Sequence, residues 1–170
     1  MIRPPQSNQR EHFDLNSRRL FTGTVLPEWL DSLGHVNFLE YQRLTDQASD
    51  VFWTDIGGQL GPANRRLAYV ILETHVRYML ELRLDDPIAI DTRLVGYDHR
   101  RMHLHHTLLR SEQPVCVVQY LGLAFDLETR RATHWPPPML EKLAAWRTQA
   151  PAAELIALMD WKLRSRPPEA

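Results

Sequence analysis

The sequence contains a single cysteine, Cys116, among 170 residues. One thiol excludes an intrachain disulfide and any metal site built from cysteines alone. The formal net charge is only -1, so nothing in the charge balance favours binding to nucleic acid or to an anionic membrane. No apolar run is long enough to span a bilayer, and the N-terminal segment lacks the apolar core of a signal peptide. A cytoplasmic location is therefore the default expectation.

Several motifs of catalytic and nucleotide-binding proteins are also absent. The chain has no glycine-rich phosphate loop, no Gly-x-Ser-x-Gly turn and no zinc-finger spacing. Three histidines do lie close together, but on a strand His103 and His105 share one face while His106 points to the other. Only two of them can bind one ion, so we expect no metal site here. Cys116, in an apolar strand, is expected in the core.

Composition predicts one globular domain with a sizeable core. Hydrophobic residues make up 44% and charged residues 24% of the chain. Residues 1–16 are polar and aperiodic, which predicts a flexible N-terminal tail. The domain is expected over residues 17–148, and residues 149–170 are expected to form a helical C-terminal extension. No internal repeat and no linker divides the chain.

The order of predicted elements indicates the fold class. A helix is expected from Asn37, which has capping-box spacing to Glu40, until Gly57-Gly58 ends it. One strand precedes this helix and four follow it, over residues 20–25, 68–79, 88–97, 101–110 and 115–125. A polar turn over residues 126–133 and a helix over residues 136–146 come next. We expect the four later strands to pair in sequence, which gives an α+β fold with one buried helix against an antiparallel sheet.

The most informative segment is Asp31-Ser32-Leu33-Gly34-His35-Val36-Asn37, directly before the long helix. It places a carboxylate, a glycine turn, an imidazole and an amide at one helix start. A helix N-terminus offers free N–H groups and a partial positive charge. An acid or base beside such a terminus can deliver water to a carbonyl that the N–H groups polarise. The segment therefore favours acyl chemistry.

The element order, the Asp31-x-x-Gly34-His35-Val36-Asn37 motif and Tyr41 together resemble the hotdog-fold acyl-CoA thioesterases of the 4-hydroxybenzoyl-CoA thioesterase type, over about residues 20–146. The stretches 73–78 and 98–103 are similar to a branch that includes thioesterase domains fused to carnitine dehydrogenases. The resemblance implies a long central helix wrapped by a curved antiparallel sheet. It also implies an acyl-CoA substrate, no metal or organic cofactor, and a homodimer or dimer of dimers with active sites at the interface.

The resemblance assigns catalytic roles to the motif, and each residue also has a simpler interpretation. Asp31 matches the family's catalytic carboxylate, as a general base or as a nucleophile, but it can also cap the turn. Gly34 and the amides after it would supply oxyanion donors, and Gly34 is in either case a turn glycine. His35 and Asn37 can orient the thioester or water. Alternatively, His35 is hydrogen-bonded within the helix start and Asn37 is a plain N-cap.

Further residues are candidates for substrate binding. Glu73, on a strand expected to be central, either pairs with Arg77 or another cation or forms a site wall that receives a cationic acyl group. Four aromatic residues can pack in the core or hold a quaternary ammonium through cation–π contact, namely Trp29, Tyr41, Trp53 and Tyr78. Arg100 and Arg101 can hold the nucleotide end of coenzyme A, or they form a solvated pair.

Three functions follow from this interpretation. The first is hydrolysis of a small-to-medium, polar or cationic (betainyl- or carnitine-like) acyl-CoA to free acid and coenzyme A. The second is a hotdog enoyl-CoA hydratase or dehydratase, although such lyases typically place His five residues after Asp, whereas His35 follows Asp31 by four. The third is a non-catalytic acyl-CoA-binding module.

Overall fold

The computed structural model describes residues 17–59 and 66–147. In chain order the elements are β1 (Arg18–Thr24), a 3-10 turn (Pro27–Trp29), α1 (Phe38–Asp55), β2 (Leu67–Tyr78), β3 (Pro87–Tyr97), β4 (Arg101–Arg110), β5 (Gln113–Asp126), β6 (Arg131–Ala132) and α2 (Pro137–Trp146). Within the described residues, the two predicted helices and the five predicted strands are confirmed, and β6 replaces part of the expected turn. The expected tail at 1–16 and extension at 149–170 lie outside the described residues.

The sheet is antiparallel, in the order β1-β3-β4-β5-β2, and β6 pairs with the end of β5. Pairing in sequence is confirmed for β3, β4 and β5. It is wrong for β2, which pairs with β5 and forms an edge of the sheet. The reason is that a strand has two edges, and those of β3 are taken by β4 and by β1, which aligns Phe21 with Ile90. Residue periodicity carries no information about which edges are occupied.

Helix α1 begins at Asn37, whose Oδ1 accepts a hydrogen bond from the Leu39 N–H at 2.9 Å. The capping box is only half formed. The Glu40 carboxylate binds Arg43 at 3.2 Å, while the Asn37 N–H donates to the main-chain oxygen of Trp29. The broad apolar face of α1 is buried as expected, through residues that include Tyr41, Leu44, Ala48 and Phe52.

The sheet packs one face against α1 and encloses it. Residues of that face are fully buried, among them Ile90, Leu104, Leu108 and Val118. This is the hotdog arrangement that the resemblance implies, in the α+β class. No helix in the described ranges is both long and apolar enough to cross a membrane.

Several polar side chains are buried between α1 and the sheet, where they form hydrogen bonds with one another. His106 lies with Nδ1 2.9 Å from Thr92 Oγ1 and Nε2 3.0 Å from Ser49 Oγ. Nearby, Thr45 Oγ1 lies 2.6 Å from the Tyr120 hydroxyl. Burial, with a smaller effect of His105, lowers the pKa of His106 to about 3. His106 is therefore neutral in the folded protein at neutral pH.

We expect His106 to make folding stability depend on pH. Between about pH 6.5 and pH 3 the unfolded chain binds a proton at this histidine and the folded chain does not. Stability therefore falls as pH decreases through this window, by up to about 1.4 kcal/mol per pH unit. His106→Gln should be less stable than wild type at pH 7.5, and this deficit should shrink at pH 5. Urea unfolding at both pH values measures this difference, and parallel losses in the two proteins would contradict it.

Candidate active site

The motif before α1 forms a closed turn. The Asp31 N–H donates to the His35 main-chain oxygen at 2.8 Å, and the Gly34 N–H donates to that of Asp31 at 3.1 Å. Gly34 has a φ of +76°, which a residue without Cβ adopts readily. The Asp31 carboxylate caps the turn, since its Oδ1 accepts from the N–H groups of Leu33 at 2.8 Å and His35 at 3.4 Å. Its Oδ2 has no hydrogen-bond partner among the described residues and is available to substrate or water.

Main-chain hydrogen bonds decide which N–H groups remain open at the site. Gly34 uses its own N–H inside the turn, and those of Val36 and Leu39 are also engaged. The Phe38 N–H, at the first residue of α1, has no partner within the described part of the chain. Among the described N–H groups that follow Gly34, the one that is open for the expected role of oxyanion donor is therefore that of Phe38, at the start of the helix. The sequence interpretation did not single out Phe38.

Two tyrosines connect the start of α1 to the sheet. The Tyr41 hydroxyl accepts from the Leu82 N–H at 3.1 Å, and the Tyr78 hydroxyl donates to the Phe38 main-chain oxygen at 3.0 Å. Their rings meet edge to face, with centroids 5.4 Å apart. Tyr41 is 4% exposed and Tyr78 is 45% exposed. Tyr41 is therefore a core residue at the rim of the site, whereas Tyr78 keeps an open ring surface.

Seven predicted site residues thus lie together at one end of α1, namely Trp29, Asp31, Gly34, His35, Asn37, Tyr41 and Tyr78. Trp29 joins them through its main-chain oxygen, which accepts from the Asn37 N–H at 2.8 Å, and its side chain is partly buried against the core. The Asn37 side chain is engaged as the N-cap, as its simpler interpretation predicts.

Glu81 also belongs to this group, and sequence reasoning missed it. Its Oε2 lies 3.0 Å from His35 Nε2. Glu81 lies in the connection between β2 and β3, where no spacing rule relates it to His35. The two segments are brought side by side by hydrogen bonds of Leu82, whose oxygen accepts from the Val36 N–H at 2.9 Å and whose N–H donates to the Tyr41 hydroxyl at 3.1 Å.

Glu73 does not join the site. The pairing of β2 with β5 shifts between Ile71 and Glu73, so that Leu72 forms a bulge. Glu73 is opposite Leu121, whose neighbour Tyr120 contacts α1, so Glu73 points away from the helix and is exposed. The expected central position is wrong because β2 is an edge strand. The expected Arg77 pair is also not formed, because residues four apart on a strand are separated by about 13 Å.

Arg100 and Arg101 lie at the other end of the sheet. Arg101 is opposite Leu123 of β5 while Tyr78 is opposite Cys116, a separation of about 23 Å along the strand. Arg101 binds Asp98 through Nε at 2.8 Å and Nη2 at 2.6 Å. Burial alone would raise the pKa of Asp98, but the N–H groups of Arg100 and Arg101 and the Arg101 guanidinium outweigh it and lower the pKa. The Arg100 side chain is exposed.

Helix α1 carries two carboxylates near Tyr69 of β2 that sequence reasoning also missed. Asp46 and Asp50 lie one turn apart on the flank of α1 that faces Tyr69. Partial burial and the charge of Asp46 raise the pKa of Asp50, and burial with both carboxylates raises the pKa of Tyr69. Trp53 lies against Tyr69, with ring centroids 5.2 Å apart. Trp53 is 2% exposed, so it is a core residue, as its simpler interpretation predicts. Within the described ranges no cation forms an ion pair with either carboxylate, although Asp50 lines a cavity together with Arg18 and Lys142. The acidic and aromatic flank formed by Asp46, Asp50 and Tyr69 can therefore attract a cation.

The remaining candidates for metal or thiol chemistry have structural roles. His103 Nε2 lies 2.8 Å from Gln119 Oε1, and His106 is bound beneath α1. Over residues 17–59 and 66–147, no three side chains of metal-binding type are grouped as ligands. Cys116 is fully buried, which confirms its expected place in the core, and burial raises its pKa to about 12.

The fold and the site define a hotdog-type protein, and sequence comparison identifies its family. The model of the Thioesterase-like superfamily matches residues 25–143, so the chain belongs to this superfamily. The betainyl-CoA thioesterase of Pseudomonas aeruginosa is 29% identical over 126 residues, which are 71% of this chain and 78% of that protein. An L-carnitine dehydrogenase/betainyl-CoA thioesterase of Agrobacterium fabrum is 30% identical over 127 residues, 74% of this chain and only 26% of that protein.

Solved structures agree with this fold. A Staphylococcus aureus protein in complex with CoA superposes with a TM-score of 0.71 and 21% identity, over 78% of this chain and 86% of that one. A 1,4-dihydroxy-2-naphthoyl-CoA thioesterase from Synechocystis superposes with a TM-score of 0.66 and 13% identity, over 73% of this chain and 93% of that one. These likenesses establish the hotdog fold.

Proposed function

We propose that the protein is an acyl-CoA thioesterase that hydrolyses a small, cationic, betainyl-like acyl-CoA to the free acid and coenzyme A. The observation that carries this proposal concerns the turn directly before α1 and the first residue of that helix. Among the described residues, Oδ2 of Asp31 and the N–H of Phe38 are both without a hydrogen-bond partner. Asp31 acts on water or on the thioester carbon, and the helix N-terminus stabilises the negative charge that develops on the carbonyl oxygen. The proposal needs no metal or organic cofactor, and it places the protein in the cytoplasm.

The cationic acyl group is supported by two independent observations. The relatives in Pseudomonas aeruginosa and Agrobacterium fabrum are both named for betainyl-CoA, whose acyl group is a quaternary ammonium. The acidic and aromatic flank of α1 combines the partly buried Tyr69 ring with the carboxylates of Asp46 and Asp50. A quaternary ammonium cannot donate hydrogen bonds, so aromatic faces and unpaired carboxylates are the groups that recognise it.

The proposal includes a homodimer formed through β2. One edge of this strand pairs with no other strand of the described residues, and large apolar side chains are exposed on it and just after it, namely Ile71, Leu72, Tyr78, Met79 and Leu80. An exposed apolar edge of this length favours pairing with another strand. A second copy that pairs antiparallel about a twofold axis places the Tyr78 end of one β2 beside the Leu67 end of the other.

This dimer would complete the site. Tyr69 lies near the Leu67 end of β2, so the symmetry brings the acidic and aromatic flank of one subunit to the Asp31 turn of the other. Arg100 and Arg101 lie at that same end of the sheet. We therefore propose that Arg100 of the partner subunit binds phosphate groups of coenzyme A, whereas Arg101 is held on Asp98 and acts mainly by fixing this turn.

Release of free thiol from a panel of acyl-CoAs tests the proposed reaction. The panel should contain short-chain, aromatic, long-chain and betainyl thioesters, and we expect betainyl-CoA to be cleaved most efficiently. An enoyl-CoA is incubated in parallel, because loss of the enoyl absorbance without thiol release would indicate a hydratase instead. Tight binding of coenzyme A without turnover of any thioester would indicate a non-catalytic binding module.

A further inference from the structure

Main-chain hydrogen bonds of Glu81 and of its neighbour Leu82 fix the position of the contact between His35 and Glu81. The Leu82 main chain binds the Val36 N–H at 2.9 Å and the Tyr41 hydroxyl at 3.1 Å, and Leu82 is fully buried. The Glu81 main-chain oxygen also accepts from Arg110 Nη1 at 3.1 Å. The Glu81 side chain is 59% exposed, yet its backbone position relative to His35 is set by buried hydrogen bonds. The pair is therefore better ordered than an ordinary surface contact.

His35 is fixed to Asp31 as well. Its N–H donates to Asp31 Oδ1 at 3.4 Å, and its main-chain oxygen accepts from the Asp31 N–H at 2.8 Å. His35 thus contacts two carboxylates, that of Asp31 through its main-chain N–H and that of Glu81 through Nε2, at 3.0 Å. No described residue is within hydrogen-bond distance of Nδ1.

We propose that Glu81 is a positioning residue that fixes the tautomer and orientation of His35, an inference that rests on the proposed thioesterase function. A carboxylate only accepts hydrogen bonds, so in neutral His35 the proton is on Nε2 and the lone pair is on Nδ1. His35 then accepts a hydrogen bond from water through Nδ1 and does not donate Nε2–H to the thioester carbonyl. The task of binding the carbonyl oxygen is left to main-chain N–H groups at the start of α1.

Glu81→Leu tests this role, because it removes the acceptor and keeps the apolar stem. We expect kcat to fall about 10-fold, the effect of one hydrogen bond to a charged group, with KM within about twofold of wild type. Arg83→Leu is the matched control. Arg83 touches the same Glu81 oxygen, at 3.4 Å, but not His35, so kcat should stay within about twofold.

Two further measurements separate positioning from a general structural effect. In the His35→Ala background, Glu81→Leu should cause no additional loss of kcat, because Glu81 acts through the imidazole. Nitrogen-15 NMR of labelled histidine at alkaline pH should show His35 protonated at Nε2 in wild type and a mixture of tautomers in Glu81→Leu. An unchanged kcat in Glu81→Leu, or an equal loss with and without His35, overturns the proposal.

The NMR measurement also distinguishes failure of this inference from failure of the proposed function. If wild type cleaves no thioester but its tautomer responds to Glu81→Leu, the contact orients His35 for some other reaction and the thioesterase proposal fails. If wild type is an active thioesterase and the tautomer does not respond, the thioesterase proposal stands and Glu81 has no positioning role.

Discussion

Asp31→Asn is expected to reduce kcat for the preferred acyl-CoA by about 10²- to 10⁴-fold, the range for loss of a general base. The reason is geometric. The side-chain amide of the variant would keep an oxygen that accepts from the Leu33 N–H, so the turn and the helix start should remain folded. The substitution replaces only Oδ2, the atom that is open to substrate and water. Thiol release under saturating substrate measures kcat, and thermal unfolding checks that the fold is intact.

Asp126→Asn is a closely matched control. Asp126 also caps a turn through Oδ1, which accepts from the N–H groups of Glu128 at 2.9 Å and Thr129 at 2.7 Å. It lies at the end of β5, far from the start of α1 in the same subunit, and it is not one of the residues assigned to the site of either subunit. This substitution removes the same charge from the same kind of turn, so kcat should stay within about twofold of wild type. An Asp31→Asn enzyme that is as active as the Asp126→Asn control would show that the Asp31 carboxylate is only a turn cap.

The fold was largely predictable because its elements are encoded locally. The helical spacing after Asn37 and the alternating strand segments do not depend on partners distant in sequence. The edge position of β2 was not predictable, since it depends on β1 occupying β3. The side of the sheet on which Glu73 lies was not predictable either. The bulge at Leu72 reverses the alternation of side chains between the two faces of β2, and no residue pattern in the sequence marks this bulge.

The site was predictable to the extent that it is contiguous in sequence. Asp31, Gly34, His35 and Asn37 lie within one turn, so their proximity follows from their spacing. Glu81 could not be found in this way, because it reaches His35 through main-chain hydrogen bonds between segments more than 40 residues apart. Asp46 and Asp50 had a weak signal, since like charges one helical turn apart are unfavourable unless something compensates them.

Recognition of the cationic acyl group is tested with a pair of substrates that differ in charge and not in shape. Betainyl-CoA and 3,3-dimethylbutanoyl-CoA carry the same branched group, with a quaternary nitrogen in the first and a carbon in the second. We expect Asp46→Asn/Asp50→Asn to lower kcat/KM for betainyl-CoA by about 10- to 100-fold, which corresponds to about 1.4–2.8 kcal/mol of electrostatic attraction. The value for the neutral analogue should change by less than about threefold. A parallel loss for both substrates would contradict the assignment.

Asp55→Asn is the control for this substitution, because Asp55 is on the same helix but already binds Arg18 at 3.1 Å and the Trp146 indole N–H at 2.6 Å. Asp55→Asn should leave the preference for betainyl-CoA unchanged. The double variant Asp46→Asn/Asp50→Asn should be no less stable than wild type, since it relieves repulsion between like charges.

Mixed dimers then show which subunit supplies the carboxylates of Asp46 and Asp50. If they act on the partner's Asp31, a dimer of one Asp31→Asn subunit and one Asp46→Asn/Asp50→Asn subunit contains one intact site and recovers about half of wild-type activity on betainyl-CoA. If they serve the same subunit, neither site is intact and the mixed dimer stays at the level of its parents.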